Sequence, residues 1–189
     1  MSEYFTNFPK IRYNFREKGK EYVTVTDITK RVRLKQQMLS NISSSFVYRI
    51  ENGERPDMLS YRIYGSVDYT WLILLMNDII DPYYDWPLTD DNFNSYIKQK
   101  YGSILSARNT IHHYEMIIRD QQLDDINGII YAEKRVIIDK DTFDSTSSDI
   151  SFEITNYDYE YVKNEKKRDI LLVEPVYVES ILNEFRRLY

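Results

Sequence analysis

Between Tyr69 and Ile80 the apolar side chains keep one helical spacing: Tyr69, Leu72, Ile73, Met76 and Ile80 share a face. Trp71 and Leu75 widen that stripe, so the pattern predicts a helix over 68–79 buried on most sides, ended by Pro82. Just before it, Asp57 reads as the N-cap of a helix carrying Leu59 and Ile63, and Gly65 as its C-terminal stop. A strand is predicted at 46–51 (FVYRIE), followed by the turn NGERP. A third helix, TDDNFNSYIKQKYG, has Thr89 as cap, acids in its first turn, bases in its last and Gly102 beyond it. At the far end Pro175 opens a helix whose stripe is Val178, Ile181, Leu182, Phe185 and Leu188.

After Thr110 the period shifts toward two. HHYEMIIRD and GIIYAEKRVIID read as strands, ISFEIT as another, and ILLV as a return to β structure after the charged KNEKKR. The polar stretch Lys140–Asp149 reads as a mobile loop. The first 20 residues mix aromatic and basic types with no period and read as an extended, mobile arm lying on a neighbour or on its own body. EYVTVTDIT is β-like, and Asp27 is placed to cap a short helix over 28–38. The expected fold class is α+β, divided as arm and short helix 1–44, helical module 45–102, and β-rich part 103–189 ending in a helix.

Composition sharpens this picture in one respect. The chain holds 18 Tyr, 8 Phe and 2 Trp in 189 residues. Tyrosine offers a large ring and one polar handle at low entropic cost, and such rings are enriched at protein interfaces. Charge is uneven: residues 10–35 carry nine Lys/Arg against three Asp/Glu, whereas residues 51–91 carry two against nine. A basic arm and an acidic body suggest complementary docking, within the chain or between copies. The basic run RVRLKQQ is short and the rest of the chain repels phosphate, so nucleic acid is not an expected partner. The longest apolar run, Trp71–Met76, is too short to span a bilayer, and MSEYFTNFPK lacks the pattern of a secretory signal; no membrane is expected, and synthesis in the cytoplasm is.

The catalytic inventory is thin. Without cysteine, thiolate metal sites and cysteine nucleophiles are excluded. His112 and His113 are adjacent, and in a strand they are expected to point to opposite faces, which disfavours shared metal ligation. Asp78, Asp81 and Asp85 could surround a cation, but no Ca-loop spacing is present, and Asp81 before a proline suits a turn cap. The sharpest enzymatic alternative is a metal-dependent nuclease built on Glu165-x-Lys167 in a strand with Asp139, though that pattern is short. No glycine-rich phosphate loop or nucleophile elbow occurs. No catalytic residue, cofactor or metal ligand is assigned, and the chain is not expected to be an enzyme.

The stretch 54–97 carries Arg55-Pro56, Tyr64-Gly65, Trp71, Asn77-Asp78, Asp81-Pro82-Tyr83-Tyr84 and Trp86-Pro87 in this order. Through these features it resembles the small baseplate wedge subunit of T-even-type contractile-tailed phages. A second stretch, YDYEYVKNEKKRDILLVEP, is similar to that family through Tyr159-Glu160, Asn164-Glu165, Lys167-Arg168 and Ile170. The resemblance implies a non-enzymatic virion subunit of the tail baseplate, joining wedges into a hetero-oligomeric ring around the tail tube. Its implied partners are the wedge's core helical bundle and the sheath-initiating subunit. It also implies a LysM-like β-α-α-β centre, and hence an alternative function in binding peptidoglycan glycans, with Gly65–Asp68 and Asn77–Ile80 as the sensitive stretches.

Within that frame, Tyr83, Tyr84, Trp86, Glu165, Lys167, Arg168 and Phe185 are the expected partner-binding residues. DPYYDWP is stiffened by two prolines, and a rigid aromatic loop loses little entropy on docking. Trp86 serves equally well as closure of the module's own core. Leu59, Ile63, Tyr64, Gly65, Trp71, Leu72, Leu75, Met76, Asn77 and Pro82 are the expected structural core. Arg55 is expected to tie the acidic loop down internally.

Overall fold

The computed structural model describes residues 4–5, 8–14, 22–29, 45–124 and 128–187, with side chains described except at 122–131 and 184–187. In chain order the elements are β1 (Lys10–Tyr13), β2 (Val23–Thr26), β3 (Ser45–Arg49), α1 (Pro56–Tyr64), α2 (Thr70–Met76), α3 (Pro82–Asp85), α4 (Asp90–Tyr101), α5 (Ile104–Asn109), β4 (Ile111–Arg119), β5 (Gln122–Asp124), β6 (Gly128–Tyr131), β7 (Lys134–Ile138), α6 (Lys140–Ser145), β8 (Ser151–Thr155), α7 (Asn156–Glu165), β9 (Asp169–Val173) and α8 (Val178–Arg187). Single 3-10 turns precede α2 and α8. The strand pairs are antiparallel and the helices are not crossovers between parallel strands, which makes the chain α+β.

Packing divides the chain into two units, Met1–Pro87 with Lys167–Tyr189, and Leu88–Lys166. This division differs from the boundaries expected at 44 and 102. Helix α4 belongs to the second unit, and β9 and α8 return to the first.

In the first unit β3 pairs with β9 in the register Val47↔Leu171, although some 120 residues separate them in sequence. Ile50, Leu59, Ile73, Trp86, Ile170 and Leu172 close one core cluster against this ribbon. Leu72, Met76 and Val173 meet Val178, Ile181 and Leu182 of α8 in a second cluster, so the final helix docks on its own unit. Tyr64 and Trp71 flank that cluster, and Ile63 and Tyr64 flank the first. The Tyr64 hydroxyl donates to the Val173 carbonyl at 3.0 Å. Burial pushes its pKa up to about 12 despite that bond. Leu75 is half-buried and Pro82 is exposed.

Three helix ends differ from expectation. Helix α1 begins with Pro56 at N1, and its N-cap Arg55 makes no side-chain cap; Asp57 instead sits in the first turn, where its charge suits the helix dipole. Gly65 ends α1 at φ 75°, a conformation that strains any residue with a Cβ. Helix α2 stops at Met76, not 79, because the Asn77 side chain turns back on the Ile73 carbonyl and Asp78 takes φ 53°. Pro82 then starts α3 at its N1 position, with Asp81 as the cap.

The N-terminal segment is partly tied down. Phe8 is buried against Tyr4 and Trp71, and β1 pairs with β2 in a hairpin. The helix expected at 28–38 lies outside the described residues beyond Thr29; Asp27 accepts there from the Thr29 N–H and hydroxyl.

In the second unit α4 has the expected caps, Thr89 accepting from the Asn92 N–H at 3.3 Å and Gly102 beyond at φ 81°. Phe93, Ile97 and Ala107 form its core with Tyr96, Tyr101, Ile104 and Tyr157 around them. The sheet order is β7-β4-β8. The region expected as a mobile loop at 140–149 contains helix α6, capped by Asp139 and held by Phe143 stacking on Tyr114 at 4.5 Å. The stretch after ISFEIT, to which the sequence pattern assigned no element, is helix α7, capped by Thr155. On α7, Glu160 is buried and accepts from Lys100, Tyr96 and Tyr101. Asn164 clasps the backbone of Leu88, accepting from its N–H at 2.8 Å and donating to its carbonyl at 3.2 Å.

Candidate functional site

The residues 78–87 form a short, stiff corner in the first unit. Asp81 accepts from the Tyr83 N–H at 2.9 Å, and the Asp85 carboxylate accepts from the N–H groups of Ile80 and Asp81 at 3.3 and 3.2 Å. Lys167 donates to the Tyr84 carbonyl. Trp86 is only 7% exposed and its indole N–H donates to the Glu54 carbonyl at 2.8 Å. This ring therefore roots the corner in the core and is not part of its outer face.

The outer face is apolar. Ile80, Tyr83 and Tyr84 are 71%, 77% and 69% exposed, and the two tyrosine rings meet edge to face at 5.0 Å. Single exposed apolar residues need no explanation; these three fall within five residues, on a backbone held from beneath, and form an apolar patch. Asp81 and Asp85 cap backbone N–H groups, which accounts for these two carboxylates without a cation.

The other expected partner-binding residues are distributed differently. Arg168 is buried and donates to the Ile50 carbonyl at 3.4 Å, beside the Ile50 N–H bond to its own carbonyl at 2.8 Å. Its charge is spent inside the first unit. Glu165 ends α7 in the second unit. The side chain of Phe185 lies outside the described residues. Arg55 pairs with Asp57 at 3.0 Å instead of with the acidic corner. Lys167, expected as a partner-binding residue, stands as a strut under Tyr84, a contact with no local signal because only the fold brings 84 and 167 together.

The alternative chemistries can be placed as well. Glu165-x-Lys167 lies at a helix end, not on a strand, so the alternating geometry expected of a nuclease strand is absent there. Asp139 caps α6 through Thr142, whose hydroxyl and N–H hold its carboxyl below the usual range. The two histidines do not point apart. A register shift between Ile111 and His113 brings their Nδ1 atoms to 2.7 Å, one donating to the other, while His112 stacks on Tyr159 at 3.9 Å and His113 meets Glu115 at 3.0 Å. Among the described residues no three His, Cys, Asp or Glu side chains group to hold a metal ion, and no helix is long and apolar enough to cross a membrane.

Comparison with known proteins places this architecture. The baseplate wedge protein gp53 of Enterobacteria phage T4 is 23% identical over 146 residues, covering 75% of this chain and 71% of that protein. The family Base plate wedge protein 53 matches residues 3–188. With nearly its whole length matched, the chain belongs to the base plate wedge protein 53 family, a structural component of the tail baseplate of the phage virion.

Proposed function

We propose that the chain is a joint of the baseplate, fastening wedge subunits into a ring around the tail tube, with the Ile80–Tyr83–Tyr84 corner as a principal grip. The carrying observation is the combination of exposure and rigidity in that corner. Its rings face solvent while Trp86, Asp81, Asp85 and Lys167 fix the backbone beneath them. A surface prepared in this way loses little entropy on docking, so its apolar area is converted efficiently into affinity. The core helical bundle of the wedge and the sheath-initiating subunit are the proposed neighbours. The β3-α1-α2-β9 order supports a LysM-like reading of the first unit, here with the second strand arriving after a 79-residue insertion, Leu88–Lys166.

A pull-down from cells making the whole assembly tests the grip. Tyr83→Ala/Tyr84→Ala should recover wedge proteins at least about tenfold less well, since buried interface tyrosines are worth on the order of 1–2 kcal/mol each. Its Trp fluorescence should match the parent, because Trp86 is buried and Trp71 packs, partly buried, against core residues. Undiminished recovery would remove the corner from the interface.

One feature supports the second reading, a glycan site. An open groove of about 410 Å³ runs along α1 between Glu54, Asp57, Met58, Tyr61, Arg62 and Val67. A ring flanked by carboxylates and a guanidinium suits a sugar, which stacks on apolar faces and hydrogen-bonds at its rim. Peptidoglycan fragments that bind, and that cease to bind on Tyr61→Ala, would favour it.

A further inference from the structure

We propose that the N-terminal hairpin of one copy docks on the Ile80–Tyr83–Tyr84 corner of a second copy, in a head-to-tail contact; this rests on the reading of the corner as a docking face. The hairpin is another under-covered surface of the first unit. In the β1–β2 register Ile11 lies opposite Val25, and Lys10 and Arg12 lie opposite Thr26 and Thr24. Directly opposed residues share a face, so one face is apolar and the other carries the cations. Ile11 and Val23 are 41% and 51% exposed, and Tyr22, under the Arg12 guanidinium at 5.2 Å, is exposed too. A two-stranded ribbon is marginal in water without a surface to cover it.

Charge selects the occupant. The hairpin opens the segment with nine Lys/Arg against three Asp/Glu over residues 10–35. The corner sits in a stretch with no Lys or Arg between Arg62 and Lys98, but with Asp78, Asp81 and Asp85 around the tyrosines. Lys167, on the Tyr84 carbonyl, is the cation the fold adds there. A narrow ribbon lets the long stems of Lys10 and Arg12 reach past its edge to those carboxylates while Ile11 meets the rings. Exposed tyrosine faces accept such cations as well. Each copy offers one hairpin and one corner, so the contact is heterologous, and repeated heterologous contacts close into a ring when the rotation allows.

The absence of cysteine makes this directly testable. Thr24→Cys and Pro82→Cys, both at exposed positions, leave Ile80, the tyrosines, Ile11 and the cations in place. The two variants, differently tagged and mixed as full chains, are treated with a short bis-maleimide. A mixed covalent dimer should form about tenfold faster than between Leu105→Cys and Pro82→Cys, reflecting the raised local concentration. High salt, or Lys10→Glu/Arg12→Glu added to the Thr24→Cys chain, should remove most of that excess. A rate equal to the control, or a double-cysteine chain that links only within itself, would overturn the proposal. If the mixed variants fail to link while Tyr83→Ala/Tyr84→Ala is still lost from the pull-down, the corner grips a different baseplate protein and the contact between copies is wrong. If that alanine chain assembles normally, the corner is not a docking face at all, and both readings fall.

Discussion

Asn77→Ala should lower the stability of the first unit by about 2 kcal/mol, one of the two largest effects expected of any single exchange away from the apolar core. The Asn77 amide donates to the Ile73 carbonyl at 2.9 Å and to the Leu171 carbonyl at 2.8 Å, and its oxygen accepts from the Leu171 N–H at 2.8 Å. Two of these bonds join the end of α2 to the edge of β9 that β3 does not use, and the third closes the helix end on its own last turn. Each is worth roughly 1 kcal/mol net. Water reaches this edge and would replace part of the loss, which keeps the expected figure below the sum. Denaturant unfolding followed by Trp fluorescence measures it, since both tryptophans, Trp71 and Trp86, are in this unit. Amide exchange at Leu171 should accelerate as well. Asn77→Asp separates geometry from size: it keeps the acceptor for the N–H but sets a carboxylate against the Leu171 carbonyl. An unchanged midpoint and an unchanged Leu171 amide in Asn77→Ala would show that the clamp contributes nothing.

The second large effect belongs to the other unit. Glu160 is 4% exposed and gathers three donors: Lys100 Nζ, the Tyr96 hydroxyl at 3.2 Å and the Tyr101 hydroxyl at 3.1 Å. Burial alone would raise its pKa; the bonds from Lys100 and Tyr101, the Lys100 charge and the Tyr96 bond outweigh it and hold the carboxyl below the ordinary value. The same bond to Glu160 raises the Lys100 pKa. Glu160→Ala leaves two hydroxyls and an ammonium without their acceptor. Lys100 is half exposed and can turn to water, so the cost should be about 2–3 kcal/mol instead of the 3–5 of a fully buried pair. The folded pKa lies below the unfolded one. The carboxylate's contribution is therefore complete above the unfolded value of about 4.3 and disappears as the pH falls through the folded value. Glu160→Gln should be milder and should remove this acid-side dependence. Far-UV circular dichroism against urea at neutral and acid pH, with amide exchange in α4 and α7, reads both results.

What the sequence disclosed, it disclosed through local rules. The Thr89 cap, the Gly102 stop and the stripe Val178–Ile181–Leu182 depend on residues within one or two turns of each other, and the chain folds there as they direct. Where the deciding partner lies far away, the pattern was silent or misleading. Pro82 reads as a terminator, but the Asn77 clamp on β9 has already ended α2, which frees Pro82 to begin α3. NYDYEYVKNE alternates rings with polar residues as a strand does; the Thr155 cap and the buried acceptor role of Glu160 make it a helix. In the candidate site DPYYDWP was legible as stiff and aromatic. Which rings face outward was not, because Trp86 turns inward only to satisfy its N–H on the distant Glu54 carbonyl. Two asparagines among the matching family features, Asn77 and Asn164, turn out to be backbone clasps, on Leu171 and on Leu88.

On assembly a neighbour should cover the rigid aromatic corner of this baseplate subunit. Amide exchange compared between the free chain and the assembled baseplate measures this at the place itself. Residues 78–86 should exchange markedly more slowly in the assembly, beyond any change in the β4–β7 hairpin region of the second unit. Equal exchange at the corner in both states, with the subunit demonstrably incorporated, would contradict it.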